Sequence, residues 1–353
     1  MDDNNLKNVN ENKAEENVVP GNYGECESNI VEYSGTIDAS FLCKISDLPN
    51  SVVIQNFYVT GKNVGNKIYV TQRDGGNYYL NRCNITSNLQ YLYANFQDRM
   101  RIENGGHGST LDLDLNNNFV IGTCDNYVDG IHYSKDLGIV AYSTNGINNN
   151  SINRITGIEC ANHSGTNINN VTIKSVLAAL TVNKKKILVY GRANQYAQFS
   201  IYDYDVFKAE LSTSGKASFK NNGTLSKNCS FFATQKNSNV VAVNYFQGIA
   251  LSNAVNNVHS IYIVSGNEGA GRELVITKLL ANKNNETLTV SKSLKINLPY
   301  GNKSNNMILS TINYEIEGVH VIDESTLYVG ISEAGVKGNK NNAYLLSISR
   351  SNF

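Results

Sequence analysis

Gly106-His107-Gly108-Ser109-Thr110-Leu111-Asp112-Leu113 leads, across a short polar turn, into Phe119-Val120-Ile121-Gly122. This layout of apolar run, turn and second apolar run recurs along the chain. It returns as Val176 to Val182 with Ile187-Leu188-Val189-Tyr190-Gly191. The next copy is Phe246-Gln247-Gly248-Ile249-Ala250-Leu251 with Ile261-Tyr262-Ile263-Val264. The last is Glu317-Gly318-Val319-His320-Val321-Ile322 with Leu327-Tyr328-Val329-Gly330. With His107 as marker, the equivalent places are Leu177, Gln247 and Glu317, each about seventy residues further on. A weaker copy, Gln55 to Thr60 with Ile68-Tyr69-Val70, opens the array, and third strands follow at Tyr78 to Leu80, Phe199 to Tyr202, Leu274 to Ile276 and Tyr344 to Leu346. Short strands at even spacing, with no long helical pattern between them, predict an all-β chain. A repeat of this length holding three or four strands predicts a five-bladed β-propeller, with the stretch Val31 to Leu42 completing the last blade. Two packed β-sandwiches are the alternative reading. The domain expectation is a polar tail over 1–25 and a single propeller over 26–353.

Composition agrees with many strands and tight turns. Asn is about one residue in six, Tyr numbers 21, Pro 3, and Trp is absent. The formal net charge is zero, which argues against nucleic acid as a partner. The one basic run, Lys184-Lys185-Lys186, reads as a solvated hairpin turn after Asn183. Met1 to Glu16 is polar and lacks an apolar core, so no signal peptide is expected there. The most hydrophobic stretch, Val176 to Val182, is too short to span a bilayer. The expected location is outside the cell by a non-classical route, or the cytoplasm until lysis. Six scattered cysteines (Cys26, Cys43, Cys83, Cys124, Cys160, Cys229) have no metal-ligand spacing and read as buried thiols. No cofactor and no metal are expected.

In a propeller the inner strands line a central channel, and ligands meet the residues at its mouth. Symmetry would bring His107, Gln247 and Glu317 together there, to bind a ligand, to satisfy one another, or to perform acid-base work. Glycoside hydrolysis needs two facing carboxylates. Asp112, Asp114, Glu315 and Glu317 are the candidates, but Asp112 and Asp114 alternate with Leu111 and Leu113 and read as solvent-facing. No Gly-x-Ser-x-Gly elbow, phosphate loop or His-Glu-x-x-His occurs. The Gly-rich stretch Gly266 to Gly271 lies between strands and lacks the helix an anion site needs. One helix is expected, from the Asp203 cap through Leu211.

Several of these segments carry a resemblance. Asn63-Val64-Gly65-Asn66-Lys67 before Ile68-Tyr69-Val70, Gly105-Gly106-His107 with Thr110, and Phe199-Ser200-Ile201-Tyr202 with Asp205 are the first three. Gln247-Gly248 with Ile261-Tyr262-Ile263, and Glu315-Ile316-Glu317, complete the set. In that order they resemble the helveticin J family of large, heat-labile class III bacteriocins. The chain departs from the family pattern at Leu111-Asp112, where the family has an aromatic-acidic pair, and at Ser175-Val176-Leu177, where the family has His-x-Glu. The resemblance implies an antagonistic protein that binds an envelope component, glycan or protein, of related bacteria without enzymatic turnover. His107, Gln247, Glu315 and Glu317 are the candidate ligand-binding residues. A polysaccharide hydrolase or lyase, or a non-toxic companion of a toxin cluster, is the alternative.

Overall fold

A computed structural model describes residues 34–353 except 51, 62, 88–91, 169, 238–239, 241–245, 267–272, 300–313 and 334–341. The tail expected over 1–25 and most of the Gly-rich stretch lie outside the described residues.

The described strands form four sheets, one of which joins two blades through parallel pairing of Ser40–Ser46 with Leu92–Glu103, so that the described strands make five four-stranded antiparallel units. Blade 1 runs Ile54–Val59, Lys67–Asp74, Asn77–Ser87 and Leu92–Glu103 from its inner to its outer strand. Blade 2 runs Leu111–Leu113, Asn118–Val128, Ile131–Ala141 and Asn153–Thr156. Blade 3 runs Ser175–Leu180, Lys186–Arg192, Tyr196–Asp203 and Cys229–Lys236. Blade 4 runs Phe246–Leu251, Val258–Ser265, Val275–Asn282 and Thr287–Asn297. Blade 5 takes Tyr314–Val321, Thr326–Glu333 and Ala343–Ser349 from the end of the chain, and its outer strand, Ser40–Ser46, from the beginning. The ring is therefore closed by an N-terminal strand, as expected, but a few residues later than the sequence suggested. Thr36–Asp38 instead pairs in parallel with the outer strand of blade 4.

Core packing decides between propeller and sandwich. Two packed sandwiches would enclose one core each, whereas here, among the described residues, five apolar clusters lie between successive blades. Blade 3 shows how the sequence builds this. Its inner strand is buried at every position, and the two-residue period of a strand sends alternate side chains to opposite faces. Val176, Ala178 and Leu180 pack toward blade 2, while Leu177 and Ala179 pack toward blade 4. The five clusters join blades 1–2, 2–3, 3–4, 4–5 and 5–1 in turn, so the architecture is a β-propeller. The inner strands touch one another in the same cyclic order. Each buried Leu, Ile or Phe in these clusters contributes about 1.5–3 kcal/mol.

Inner strands converge so closely that side chains are trimmed where they meet. A Cβ on Gly248 would lie 2.8 Å from the Gly318 Cα, and one on Gly318 would lie 2.5 Å from Asn56 Oδ1. The predicted helix is present as Tyr204–Ser214, with Asp203 Oδ1 accepting from the Asp205 and Val206 amides. It runs past the expected Leu211 because its Phe207 and Leu211 pack into the blade 2–3 cluster.

Candidate functional site

The inner strands run the same way along the ring, so the channel has two different mouths. At the end where these strands begin, a cavity of about 490 Å³ is lined by Gln55, Arg73, His107, Tyr133, Arg192, Phe246, Gln247 and Glu315, among others. Ladder register explains two of these placements. Pairing skips one residue at Gln55 and one at Gln247, and a bulge of this kind re-aims the side chain it leaves unpaired. Glu317 is the corresponding bulged residue of blade 5. It is buried and is not among the residues lining the cavity.

Three of the four sequence-predicted residues thus meet at this mouth. Gln247 Nε2 donates to Glu315 Oε1 at 2.6 Å. His107 sits in the loop before the Leu111–Leu113 strand, with Nδ1 2.6 Å from Ser109 Oγ and its ring stacked on Tyr133. Arg192 lies over the other partner of that stack, 4.9 Å from the Tyr133 ring centre. Burial first, then the positive charges of Arg73 and Arg192, push the His107 imidazole down to about 3. His107 is therefore neutral at physiological pH and offers a hydrogen bond without charge. Two guanidiniums, one carboxylate held by an amide, and aromatic walls can orient a polar ligand bearing negative charge.

Sequence reasoning missed Arg73, Arg192 and Tyr133. The two arginines sit at the mouth end of the second strand in blades 1 and 3. Unequal loop lengths put them out of step with the seventy-residue spacing, so only strand-by-strand register would have found them.

The carboxylate candidates separate. Asp112 lies at the opposite mouth from Glu315. The expectation that Asp112 and Asp114 face solvent is corrected: both are buried, because a propeller covers both faces of its inner strands. Asp112 accepts from the Leu113 and Leu180 amides at 2.8 Å each and from Lys184 Nζ at 2.7 Å. Asp114 accepts from the Asn116 and Asn118 amides at 2.8 Å each, which folds the hairpin after its strand. Lys184 corrects a second expectation. It occupies the hairpin turn with φ 56°, but its side chain folds inward to Asp112 and is 14% exposed. Its ammonium is lowered by burial and raised more by Asp112 and Tyr58, leaving it above the usual lysine range.

The mouth where the inner strands end holds a cavity of about 460 Å³, lined by Tyr58, Asp112, Lys184, His320 and Tyr328 with aliphatic residues between them. Among the described residues no group of three or more His, Cys, Asp or Glu could hold a metal ion. No described helix is long and apolar enough to cross a membrane. The five described cysteines are free thiols, four of them buried.

Strand order and core layout define the class: a β-propeller with a ligand-sized recess at each end of its inner strands. The chain belongs to the bacteriocin helveticin-J family, whose model matches residues 35–348. No curated protein matches it. Among solved structures it is similar to the tail fibre of Staphylococcus aureus phage P68, at 17% identity over 89% of this chain and 53% of that one, TM-score 0.51. The chain thus spans about half the length of that fibre chain. Lower likenesses include the Myceliophteria thermophila Cps50 (Swd1) β-propeller domain, at 10% identity over 79% of this chain and 65% of that one, TM-score 0.32. An engineered GH43 glycoside hydrolase matches at 9% identity over 79% and 54% of the two chains, TM-score 0.39. These two add nothing to the strand topology.

Proposed function

We propose that this chain is a bacteriocin-type antagonist that binds an envelope component, glycan or protein, of related bacteria, and acts without enzymatic turnover. Family membership supports the bacteriocin-like part of this reading. Binding at the first mouth rests on one observation: Arg73, Arg192, His107, Gln247 and Glu315 converge on one cavity with aromatic walls. Such a recess recognises a polar ligand by donors and acceptors already in place. Glu315 is the one carboxylate among the described residues lining it, and it accepts from Gln247. Glycoside hydrolysis would need a second carboxylate facing it at roughly 5–9 Å. Secretion by a non-classical route, or release on lysis, belongs to the same reading. Nucleic acid and membrane insertion do not.

The test uses purified protein on intact cells of related bacteria, reading cell-bound protein, survivors and released reducing sugar. The wild type should bind and kill. Arg192→Gln and Glu315→Gln should each weaken binding about tenfold, as expected for a lost charged hydrogen bond, with folding unchanged. Undiminished binding by the double variant would remove the site from this reading. Sugar released from peptidoglycan by the wild type would overturn the non-enzymatic assignment.

A further inference from the structure

At the mouth where the inner strands begin, two guanidiniums stand without counter-ions. Arg73 and Arg192 line its cavity from blades 1 and 3, on either side of the His107 loop that leads into blade 2. The ion-paired arginines among the described residues are Arg82, Arg101, Arg154 and Arg350. Arg73 and Arg192 have neither an ion pair nor a side-chain hydrogen bond among the described residues. Both are half-buried, and both act on the His107 imidazole, so their charges are felt in one place. Arg192 stacks its flat face on Tyr133, 4.9 Å from the ring centre, which leaves its N–H edge to a ligand. A guanidinium edge matches the paired oxygens of a carboxylate or phosphate. Two like charges converging on one recess repel each other until an anion joins them.

The rest of the lining says what carries that anion. Glu315 of blade 5, which accepts from Gln247 of blade 4, puts negative charge on another part of the ring and turns an acidic group away from there. One side of the recess therefore suits an oxyanion, while the other presents amide and carboxylate groups, which are partners for hydroxyls. Ile131, Tyr133 and Phe246 add apolar wall, and Phe246 is fixed by stacking on Tyr190 at 4.5 Å. The cavity of about 490 Å³ falls among organic-ligand sites, about 300–1,000 Å³, and far exceeds what one phosphate ion fills. A hydroxylated ring bearing one acidic group matches this layout, with the acid toward the arginines, hydroxyls toward Gln247 and Glu315, and C–H surface on the apolar wall. We propose that the first mouth selects an acidic sugar, its phosphate or carboxylate held by Arg73 and Arg192. The proposal rests on the reading of that mouth as a binding site, and narrows its ligand to an anionic glycan.

Isothermal titration calorimetry on the full-length protein tests this with glucose 6-phosphate, glucuronic acid, glucose and inorganic phosphate. At least one of the two acids should bind saturably, and which of them does so tells phosphate from carboxylate. Its affinity should fall as salt rises, and glucose and inorganic phosphate should each bind at least about tenfold more weakly. Arg73→Gln and Arg192→Gln should each weaken the acid about tenfold, with an unchanged circular dichroism spectrum. Arg192→Lys should recover part of the loss, because it keeps the charge without the fork. Arg101→Gln, which removes an exposed positive charge from the outer strand of blade 1, should change nothing. Glucose or inorganic phosphate binding as tightly as the acids, silence toward both acids, or indifference to both arginine variants would overturn the inference. Cell binding that persists where neither acid binds would sink it alone and leave the envelope-binding reading standing. Acid binding by a protein that ignores cells would support it and sink that reading instead.

Discussion

Asp112→Ala is the most demanding test of the blade 2–3 junction. The carboxylate is 3% exposed and the Lys184 side chain 14%. One group on the innermost strand of blade 2 thus ties down the Leu180 amide and the Lys184 ammonium of blade 3, as well as the Leu113 amide of its own strand. Removal leaves two buried N–H groups without acceptors, at about 1–3 kcal/mol each. It also leaves a largely buried ammonium without its counter-ion. Breaking a buried pair from one side costs about 3–5 kcal/mol, and that is the loss expected. Lys184→Met should cost less, about 1–2 kcal/mol, because the carboxylate keeps two amide donors. The double variant should then be at least about 1 kcal/mol better than the sum of the two. Urea unfolding followed by far-ultraviolet circular dichroism reads all four proteins. A loss below about 1 kcal/mol for Asp112→Ala, or strict additivity, would refute the claim that this pair pins adjacent blades.

Acid should weaken the fold early. His107, His259 and His320 are each held below the usual imidazole value, first of all by burial. Between about 6.5, the unfolded value, and the lower folded values the unfolded chain binds more protons, so stability falls as pH drops. His107 alone, at about 3 when folded, accounts for up to about 2 kcal/mol at pH 5; an unchanged urea midpoint between pH 7 and 5 would contradict this. Gly248→Ala places a Cβ against backbone, 2.8 Å from the Gly318 Cα, and should cost about 1–3 kcal/mol by differential scanning calorimetry; a neutral result would mean the inner strands can part. Burial pushes the thiols of Cys43 and Cys83 up to about 12 and that of Cys229 up to about 11. Ellman's reagent should therefore leave these three unmodified in the native protein and modify them in guanidinium; prompt native reaction of Cys43 or Cys83 would show that the blade 5–1 cluster opens.

What could be read directly were the features that depend on near neighbours. Alternating runs such as Phe246 to Leu251, and turns rich in Asn and Gly, dictate strands and hairpins through local sterics. Asp203 marks a helix start because its carboxylate reaches amides two and three residues on. Recurrence at His107, Leu177, Gln247 and Glu317, with a weaker copy from Gln55, exposed the repeat, and with it the ring. The same residues could not say which would line a mouth. Gln55 and Gln247 do, while Glu317, bulged in the same way, is buried outside the lining.

Polarity on an alternating strand signals only that a side chain points away from one apolar face. Whether it meets water or the next blade depends on what the rest of the chain brings there. Asp112 read as solvated for that reason, and Lys184 because it sits in a polar turn, and tertiary packing joined them across seventy-two residues of sequence. Arg73 and Arg192 became neighbours of His107 in the same way, through blades whose loops differ in length. Strands, turns and repeat were thus determined by the sequence itself, because local sterics and periodicity act along the chain. The occupants of each mouth, and the charge each presents, were decided by tertiary structure, because they depend on register between strands far apart in sequence.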